Sequence, residues 1–305
     1  MNVPCVRVPR EMGEEARTEL AEAELIDRDF AIDSGEDSLF IPVSDPDSVA
    51  PGYDVVKHDV DPRETQTLPA DVLGFEPTYE RLGDVAIIDE DDPERARAVA
   101  AAIADSDLPL VTVINKRSKV KGTERVRDWD VLVGTDTETV HREYGCSFLV
   151  DVASVYFSPR LATERHRVAR QVADGERVFD MFAGVGPFTV PMAKRGSKAV
   201  GVDINENAVA YLEENARRND VAERITAVHG DVREVAGAYA DWADRIVMNL
   251  PHSADSFLDT AVSIAGEECT IHYYDIQDED APFEHGLDVI RTAANSAGYA
   301  VAVES

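Results

Sequence analysis

The chain has 305 residues, of which 44% are hydrophobic, enough to build ordinary buried cores in about two domains. Sixty acidic residues against thirty basic ones give a formal net charge of -30. The N-terminus lacks the apolar core of a signal peptide, and no apolar run reaches the roughly 20 residues that cross a bilayer. We therefore expect a folded, soluble protein of the cytoplasm, with no membrane partner.

The carboxylates are spread along the whole chain and are not gathered in one tail. At 1 M salt the Debye length falls to about 3 Å, so dense carboxylate adds solubility without destructive self-repulsion. We therefore hypothesise a halophilic source. Against such a background only local basic clusters are informative about nucleic-acid binding, because phosphate contacts need positive groups.

The three cysteines, Cys5, Cys146 and Cys269, lie far apart and form no CxxC or Cys/His cluster. This pattern predicts reduced, mostly buried thiols and no metal site.

The first part of the chain, residues 1–60, is predicted to be a small α/β module. It contains the apolar stretch PCVRV, a helical pattern from Glu11 to Glu24, and the β-like segments DRDFAI and SLFIPV. The turn-rich segment SDPDSVAPGYD that follows indicates a linker.

Residues 61–150 are predicted to form a second small α/β domain. Its strands are GDVAIID, PLVTVIN, WDVLVG and CSFLVDV, and DDPERARAVAAAIADSD is its helix. The loop from Lys116 to Arg127 concentrates positive charge in an acidic chain, and we expect it to contact phosphate.

Residues 151–305 alternate regularly between helical segments and apolar strands. The strands are VFDMFAG, KAVGVDI, ITAVHGD, RIVMNLP and CTIHYYDI. Such alternation predicts an α/β fold with a mostly parallel, doubly wound, Rossmann-like sheet.

A glycine turn follows the first of these strands and contains Asp180, Phe182, Gly184 and Gly186. Glycine permits a tight turn and lets backbone N–H groups approach a ligand closely. The turn lacks the GxGxxG spacing that cradles a pyrophosphate, which disfavours a nicotinamide cofactor. S-adenosylmethionine has no phosphate and suits this looser turn.

Acidic residues end the next two strands. Asp203 is placed to accept hydrogen bonds from both ribose hydroxyls, and Asp231 to accept one from an adenine amino group. Either carboxylate alone could be a helix cap or a solvated loop residue. Their order on successive strands favours a nucleoside site.

The fourth strand ends in Asn249-Leu250-Pro251-His252. This segment resembles the [N/D]-P-P-[Y/F] motif of methyltransferases that act on planar nitrogen, although Leu250 and His252 depart from it. An asparagine there can hold a flat, nitrogen-bearing ring against a methyl donor.

A further cluster precedes the glycine turn and consists of Tyr156, Arg160 and Glu164, with Pro159 at a predicted helix start. Arg160 and Glu164 would share a helical face, so the simplest interpretation is a surface ion pair between them.

Together these stretches resemble the archaeal and eukaryotic tRNA (guanine-37 N1)-methyltransferases over nearly the whole chain. The residues that carry the resemblance are YERLGDVAIID, KGTERVR, VYFSPRLATER, DMFAGVGPF, GVDINENAVAYLEENARRN and NLPHSA. The resemblance implies a C-terminal class I methyltransferase domain preceded by two smaller α/β domains. It also implies S-adenosylmethionine as cofactor, tRNA as partner, no metal and a monomeric state.

The resemblance implies a role for each candidate residue. Glu164 would be the general base that takes the guanine N1 proton. Arg125 would stabilise negative charge on O6, with Arg127 in the same loop as the alternative. Four residues would complete the catalytic site by positioning cofactor and guanine or by forming the wall of the base pocket: Tyr156, Arg160, Asn249 and Pro251.

Three alternatives remain open at this point. A related enzyme of the wybutosine pathway transfers the aminocarboxypropyl group of the same cofactor, and DMFAGVGPF and NLPH are closer to the methyltransferases than to it. Methylation of a wyosine precursor at the same tRNA position is the second. A tRNA-binding protein that holds the cofactor without turnover is the third, and the complete set of candidate catalytic residues disfavours it.

Overall fold

The computed structural model describes residues 1–35, 37–63, 66–119, 122, 126–276 and 284–303. The chain divides into two compact units, Met1–Thr67 and Leu68–Ser305. Within the described ranges, every helix is too short or too polar to cross a bilayer. The subdivision expected near residue 150 stays a prediction.

The first unit is a four-stranded antiparallel sheet with one helix. Its elements are β1 (Asn2–Pro9), α1 (Gly13–Glu22), β2 (Asp33–Ser34), β3 (Ser38–Pro42) and β4 (Asp54–Asp59). The strand order is β2-β3-β1-β4. Helix α1 buries Ala16 and Leu20 against β1 and β3, which confirms the predicted helix and its apolar face.

One strand prediction in this unit is wrong, and one strand was not predicted. Residues 27–32, DRDFAI, form only an isolated bridge from Phe30 to Pro62, because two aspartates and an arginine interrupt the apolar pattern. Strand β4 was missed because it lies beside β1 with mostly exposed side chains, so it lacks the alternation of a half-buried strand.

The second unit begins with a small mixed sheet and two helices. The elements are α2 (Pro69–Leu73), β5 (Glu80–Leu82), β6 (Val85–Ile88), α3 (Pro93–Ala104), β7 (Thr112–Lys116) and β8 (Trp129–Val133). The strand order is β5-β6-β7-β8, with β6 and β7 parallel. Asp92 caps α3 by accepting the N–H of Glu94 at 2.9 Å, and the helix packs Val99 and Ile103 against this sheet.

A two-stranded ribbon follows, with β9 (Glu138–Glu143) and β10 (Cys146–Asp151) joined by Tyr144 and Gly145. Both turn residues have positive φ, 44° and 77°, as a two-residue hairpin turn of the primed type requires.

The rest of the chain forms a five-stranded parallel sheet with helices on both faces. The strands are β11 (Arg177–Asp180), β12 (Lys198–Asp203), β13 (Ile225–His229), β14 (Ala243–Met248) and β15 (Ala265–Tyr273). The helices are α4 (Ala162–Ala169), α5 (Thr189–Lys194), α6 (Glu206–Arg218), α7 (Val232–Val235), α8 (Leu258–Ile264) and α9 (Glu284–Ser296). The order β13-β12-β11-β14-β15 confirms the predicted doubly wound sheet.

The order of the strands changes direction at β11, because the chain adds β12 and β13 on one side of it and β14 and β15 on the other. Ligands of doubly wound sheets bind beyond the carboxyl ends of the strands at such a point. Side-chain amides of Asn215 on α6 and of Asn219 just after α6 bond the backbone of β10 at 2.7 to 3.1 Å, which fixes the ribbon to this part of the fold.

The three cysteines are free thiols, as predicted, and Cys5 and Cys146 are buried. Burial raises the pKa of each thiol, to about 12 for Cys269, so the reactive thiolate is disfavoured.

Candidate active site

A cavity of about 820 Å³ lies at the carboxyl edge of the parallel sheet, where β11, β12, β13 and β14 end. The residues on the rim of this reaction cavity come from four strand ends, from the segment before α4 and from the basic loop. They include these candidates from the sequence: Tyr156, Phe182, Gly184, Asp203, Asp231, Asn249 and Pro251.

The carboxylate of Asp203 is fixed by the glycine turn. Its Oδ2 accepts the N–H of Gly184 at 2.7 Å, and its Oδ1 accepts the N–H of Asn205 at 2.9 Å. Burial raises the pKa of Asp203, against the lowering effect of these two bonds. A cofactor would therefore meet a carboxylate that is already positioned.

Gly186 and Asp180 shape the turn and lie outside the lining of the cavity. Gly186 has φ +88°, and a Cβ there would lie 2.5 Å from Leu212 Cδ1. Asp180 is buried, accepts the hydroxyl of Thr189 at 2.8 Å and the N–H of Phe182 at 3.4 Å, and burial raises its pKa to about 7. Asp180 therefore ties the end of β11 to α5.

Asp231 caps helix α7 by accepting the N–H of Arg233 at 2.9 Å. The guanidinium of Arg233 bonds the same carboxylate, which lowers the pKa of Asp231, and it also lies 5.0 Å from the ring centre of Phe257. Phe257 in turn meets Phe182 edge-on with ring centres 5.0 Å apart. Asp231 thus stands at an aromatic wall of the cavity.

Sequence reasoning missed the apolar part of this lining. Ile204 follows Asp203 directly and is 44% exposed, and Val232 follows Asp231. Val232 is 3% exposed and packs into the core beneath the cavity, whereas Ile204 is an apolar side chain that finds no core to enter. These side chains and the two carboxylates fit the purine and ribose of S-adenosylmethionine. The space beside Gly184 is open to the cofactor, because a Cβ built on this residue would have no neighbour closer than 4.0 Å.

Asn249 and Pro251 line the opposite side of the cavity, just beyond β14. Within the described part of the chain, the side-chain amide of Asn249 has no hydrogen-bond partner. His252 has φ +82°, a conformation that a non-glycine residue adopts only under constraint. The segment therefore presents one unpaired amide to the cavity from a tightly bent loop.

Glu164 lies on α4 between Leu161 and Arg165, which both line the cavity, but Glu164 itself is outside the lining. Both of its carboxylate oxygens accept bonds of 2.7 Å from the guanidinium of Arg167, and Oε1 also accepts the hydroxyl of Tyr274 at 2.7 Å. The bonds from Arg167 lower the pKa of Glu164.

Arg160 is also outside the lining and forms an ion pair with Glu80 on β5. Glu80 additionally lies 3.4 Å from the ammonium of Lys116. The interpretation of Arg160 and Glu164 as a surface ion pair is therefore wrong, because each has a different partner. Their helical spacing alone gave no sign of Glu80, which is 80 residues away in sequence.

The basic loop reaches the cavity through Lys119 and Gly122. Arg125, the candidate for charge stabilisation, lies outside the described residues. Its alternative, Arg127, stacks over Trp129 at 5.4 Å. Two other loop cations are already paired, Lys116 with Asp89 at 3.1 Å and Arg117 with Asp130 at 3.5 Å.

Among the described residues, no group of histidine, cysteine and acidic side chains is placed to hold a metal ion.

Comparison with known protein families matches three segments of the chain. Residues 139–302 match the TRM5/TYW2 methyltransferase domain, residues 5–50 the tRNA methyltransferase 5 N-terminal domain, and residues 65–137 the TYW2 N-terminal domain.

Two curated relatives cover most of the chain. The tRNA (guanine(37)-N(1))-methyltransferase Trm5b of Pyrococcus abyssi is 39% identical over 98% of this chain and 92% of its own length. A tRNA(Phe) (4-demethylwyosine(37)-C(7)) aminocarboxypropyltransferase of Methanocaldococcus jannaschii is 31% identical over 72% of this chain and 87% of its own length.

Two solved structures are also similar. A complex of aTrm5 with tRNALeu has a TM-score of 0.72 and 30% identity, covering 94% of this chain and 91% of its own. TYW2 of M. jannaschii in complex with AdoMet has a TM-score of 0.57 and 29% identity, covering 72% of this chain and 86% of its own.

Proposed function

Because the chain belongs to the TRM5/TYW2 methyltransferase family, we propose that it transfers a methyl group from S-adenosylmethionine to N1 of guanosine 37 in tRNA. Support comes from the Trm5b relative, which matches nearly the full chain, and from a structural neighbour that is itself bound to tRNA. When bound, S-adenosylmethionine supplies an electrophilic methyl group on its sulfonium.

The observation that carries the proposal is the amide of Asn249, which faces the cavity without a partner among the described residues. Asn249 is only partly buried, so its amide is accessible to a ligand in the cavity, and a guanine edge offers both donors and acceptors to an amide. Asp203 lines the same cavity from another strand end and suits the ribose of the cofactor. The two residues thus divide the cavity between a cofactor and a flat base.

Glu164 is proposed as the general base, since N1 must lose its proton to attack the methyl carbon. As it stands, the carboxylate is held by Arg167 and Tyr274. The Arg167 side chain is 55% exposed, so it can leave Glu164 for solvent at small cost when guanine arrives. Release would raise the pKa of Glu164 and make it a stronger base.

Arg160 and Tyr156 are proposed to position the reactants, and Pro251 to form part of the base pocket. Tyr156 and Pro251 line the cavity, whereas Arg160 must first exchange its partner Glu80 for the substrate. Arg125 is proposed to stabilise negative charge on O6 of guanine.

The aminocarboxypropyl transfer stays the alternative, favoured by the match of residues 65–137 to the TYW2 N-terminal domain. It would use the same cofactor and the same tRNA position. Methylation of a wyosine precursor at that position is a further possibility within the same site.

We further propose that the protein acts as a monomer in the cytoplasm of a halophilic organism. One unit of a single chain supplies the lining of the cavity, and tRNA is matured and used in the cytoplasm. Light scattering in concentrated potassium chloride tests the oligomeric state.

The deciding experiment incubates the protein with an unmodified tRNA transcript carrying guanosine at position 37 and S-adenosylmethionine, in concentrated potassium chloride. Nucleoside mass spectrometry should detect 1-methylguanosine, and a transcript with adenosine at position 37 should give none. Loss of product on the first transcript, with aminocarboxypropylation of a tRNA that carries the wyosine precursor, would establish the alternative.

A further inference from the structure

A second cavity, of about 390 Å³, lies between the turn of the ribbon, α4 and the end of α5. Its charged lining consists of Glu143, Arg165, Arg170, Lys194 and Arg195. We call it the basic cavity. Of its lining, Arg165 also borders the reaction cavity.

The carboxylate in this lining is already neutralised. Glu143 accepts two bonds of 2.6 and 2.7 Å from the guanidinium of Arg165, whose side chain is 3% exposed. His141 lies 3.4 Å from the same carboxylate. Glu143 therefore cannot also balance the remaining cations of the cavity.

Three of those cations have no ion-pair partner in the described chain: Arg170, Lys194 and Arg195. Lys194 donates to the carbonyl of Gly145 at 2.8 Å, and Asp174 packs beside Gly196 without pairing with Arg195. With 60 acidic residues for 30 basic ones, carboxylates are abundant on this chain. A cluster of three unpaired cations is therefore a local exception that points to an anion from outside the chain.

An aromatic stack stands beside these cations. The ring of Tyr144 lies on that of His166 with centres 4.1 Å apart and planes 9° from parallel. Tyr144 is 56% exposed and has φ +44°, a conformation in which asparagine or glycine is usual at this turn position. A strained, exposed aromatic residue next to unpaired cations offers a stacking surface for a nucleotide.

We propose that the basic cavity binds a sugar-phosphate unit of the tRNA, with the three cations on a phosphate and Tyr144 stacked on the ribose or base. Guanidinium and ammonium groups are the side chains that bind phosphate oxygens best. Helix α4 links the two cavities over its eight residues, about 12 Å at the usual helical rise. The proposal rests on the proposed function, because it takes tRNA as the substrate.

The test compares two double variants with the same change in charge. Arg170→Gln with Arg195→Gln removes two cations from the cavity, and Lys198→Gln with Arg291→Gln removes two exposed cations elsewhere. Fluorescence anisotropy with the tRNA transcript is measured over a range of potassium chloride concentrations. The cavity variant should bind tRNA about tenfold more weakly at low salt, and the slope of log K against log salt should fall by about 1.

Tyr144→Ala should weaken tRNA binding roughly fivefold or more while leaving the salt slope unchanged, because stacking carries no charge. Single-turnover methylation at saturating tRNA should stay at the wild-type rate in both cavity variants. Equal affinities and slopes for the two double variants would overturn the proposal.

A second experiment distinguishes an RNA ligand of the basic cavity from free phosphate. It measures the Tm of the wild type and of the cavity variant with and without inorganic phosphate. A phosphate-dependent rise in Tm that the cavity variant loses, with tRNA affinity unchanged, would assign the cavity to a small anion and overturn the RNA proposal. If the wild-type protein methylates tRNA but the cavity variants bind tRNA as tightly as the control variant does, this proposal alone is refuted. Absence of any modified nucleoside refutes the proposed function instead.

Discussion

The two sides of the reaction cavity differ in the partners that hold their carboxylates. On the cofactor side, formed by the ends of β11, β12 and β13, Asp203 accepts backbone N–H groups of Gly184 and Asn205. On the base side, formed by α4 and the end of β14, Glu164 is held by the half-exposed side chain of Arg167. Backbone partners stay in place when a ligand enters, whereas an exposed arginine can leave.

The two sides of the reaction cavity are therefore preorganised for their ligands to different degrees. Arg160 behaves like Glu164, because its partner Glu80 must be exchanged before it can contact a substrate. The cofactor side can therefore bind before tRNA arrives, and the base side assembles only with tRNA. Such a division confines the strong base to the complex in which it is needed.

The largest effect is expected from a substitution on the base side of the reaction cavity. Glu164→Gln should lower the single-turnover rate of methyl transfer by about 10² to 10⁴-fold, because the amide cannot take the N1 proton. Affinity for S-adenosylmethionine should stay close to that of the wild type. Glu214→Gln is the matched control, since Glu214 pairs with Arg217 at the same helical spacing on α6. An unchanged rate in Glu164→Gln would remove this residue from the chemistry.

A smaller effect is expected on the cofactor side. Asp203→Asn should weaken binding of S-adenosylmethionine about 10 to 100-fold, because a hydrogen bond to a charged acceptor is worth roughly 1.5–3 kcal/mol. Calorimetry without tRNA measures it, with Asp259→Asn on the exposed face of α8 as control. If cofactor affinity proves equal in the two variants, Asp203 is not a ribose ligand.

Removing the carboxylate of Glu80 tests whether Arg160 must leave this partner before it contacts the substrate. Glu80→Gln should lower the KM for tRNA by at most about fivefold with little change in kcat, because such exposed ion pairs are worth about 0.2–1 kcal/mol. Asp89→Asn is the matched control, since Asp89 shares the partner Lys116 with Glu80 but does not pair with Arg160. A higher KM in Glu80→Gln would instead make Glu80 a group that positions Arg160 productively.

The smallest effect is a displacement of the pH profile. Arg167 lowers the pKa of Glu164, so the acid limb of kcat/KM should lie below the ordinary range of a glutamate. In Arg167→Ala the pKa of Glu164 rises, and the limb should move to higher pH because kcat/KM reports the free enzyme. Arg217→Ala, which breaks the equivalent pair on α6, should leave the limb in place. A limb that does not move in Arg167→Ala would contradict the assignment of Glu164 as base.

Local patterns were sufficient for the parallel sheet and for the cofactor side. Apolar strands alternating with amphipathic helices repeat over short windows, and the connection rules for parallel strands then restrict their arrangement. Asp203, Asp231 and Asn249 could be placed at one edge because each lies at the end of a strand or within two residues of it, and the carboxyl ends of parallel strands share an edge. The strand β4 escaped detection because an exposed strand carries no such pattern.

The sequence by itself thus determined the doubly wound architecture, the family resemblance and the strand-end residues of the cavity. Only the tertiary structure decided the partners of the charged side chains: Tyr274 reaches Glu164 across 110 residues, and Arg160 meets Glu80 across 80. Only the fold, likewise, gathered Tyr144, Arg170 and Arg195 into the basic cavity. The physical reason is that periodicity is a property of neighbouring residues, whereas a cation among 60 carboxylates has many candidate partners that only folding distinguishes.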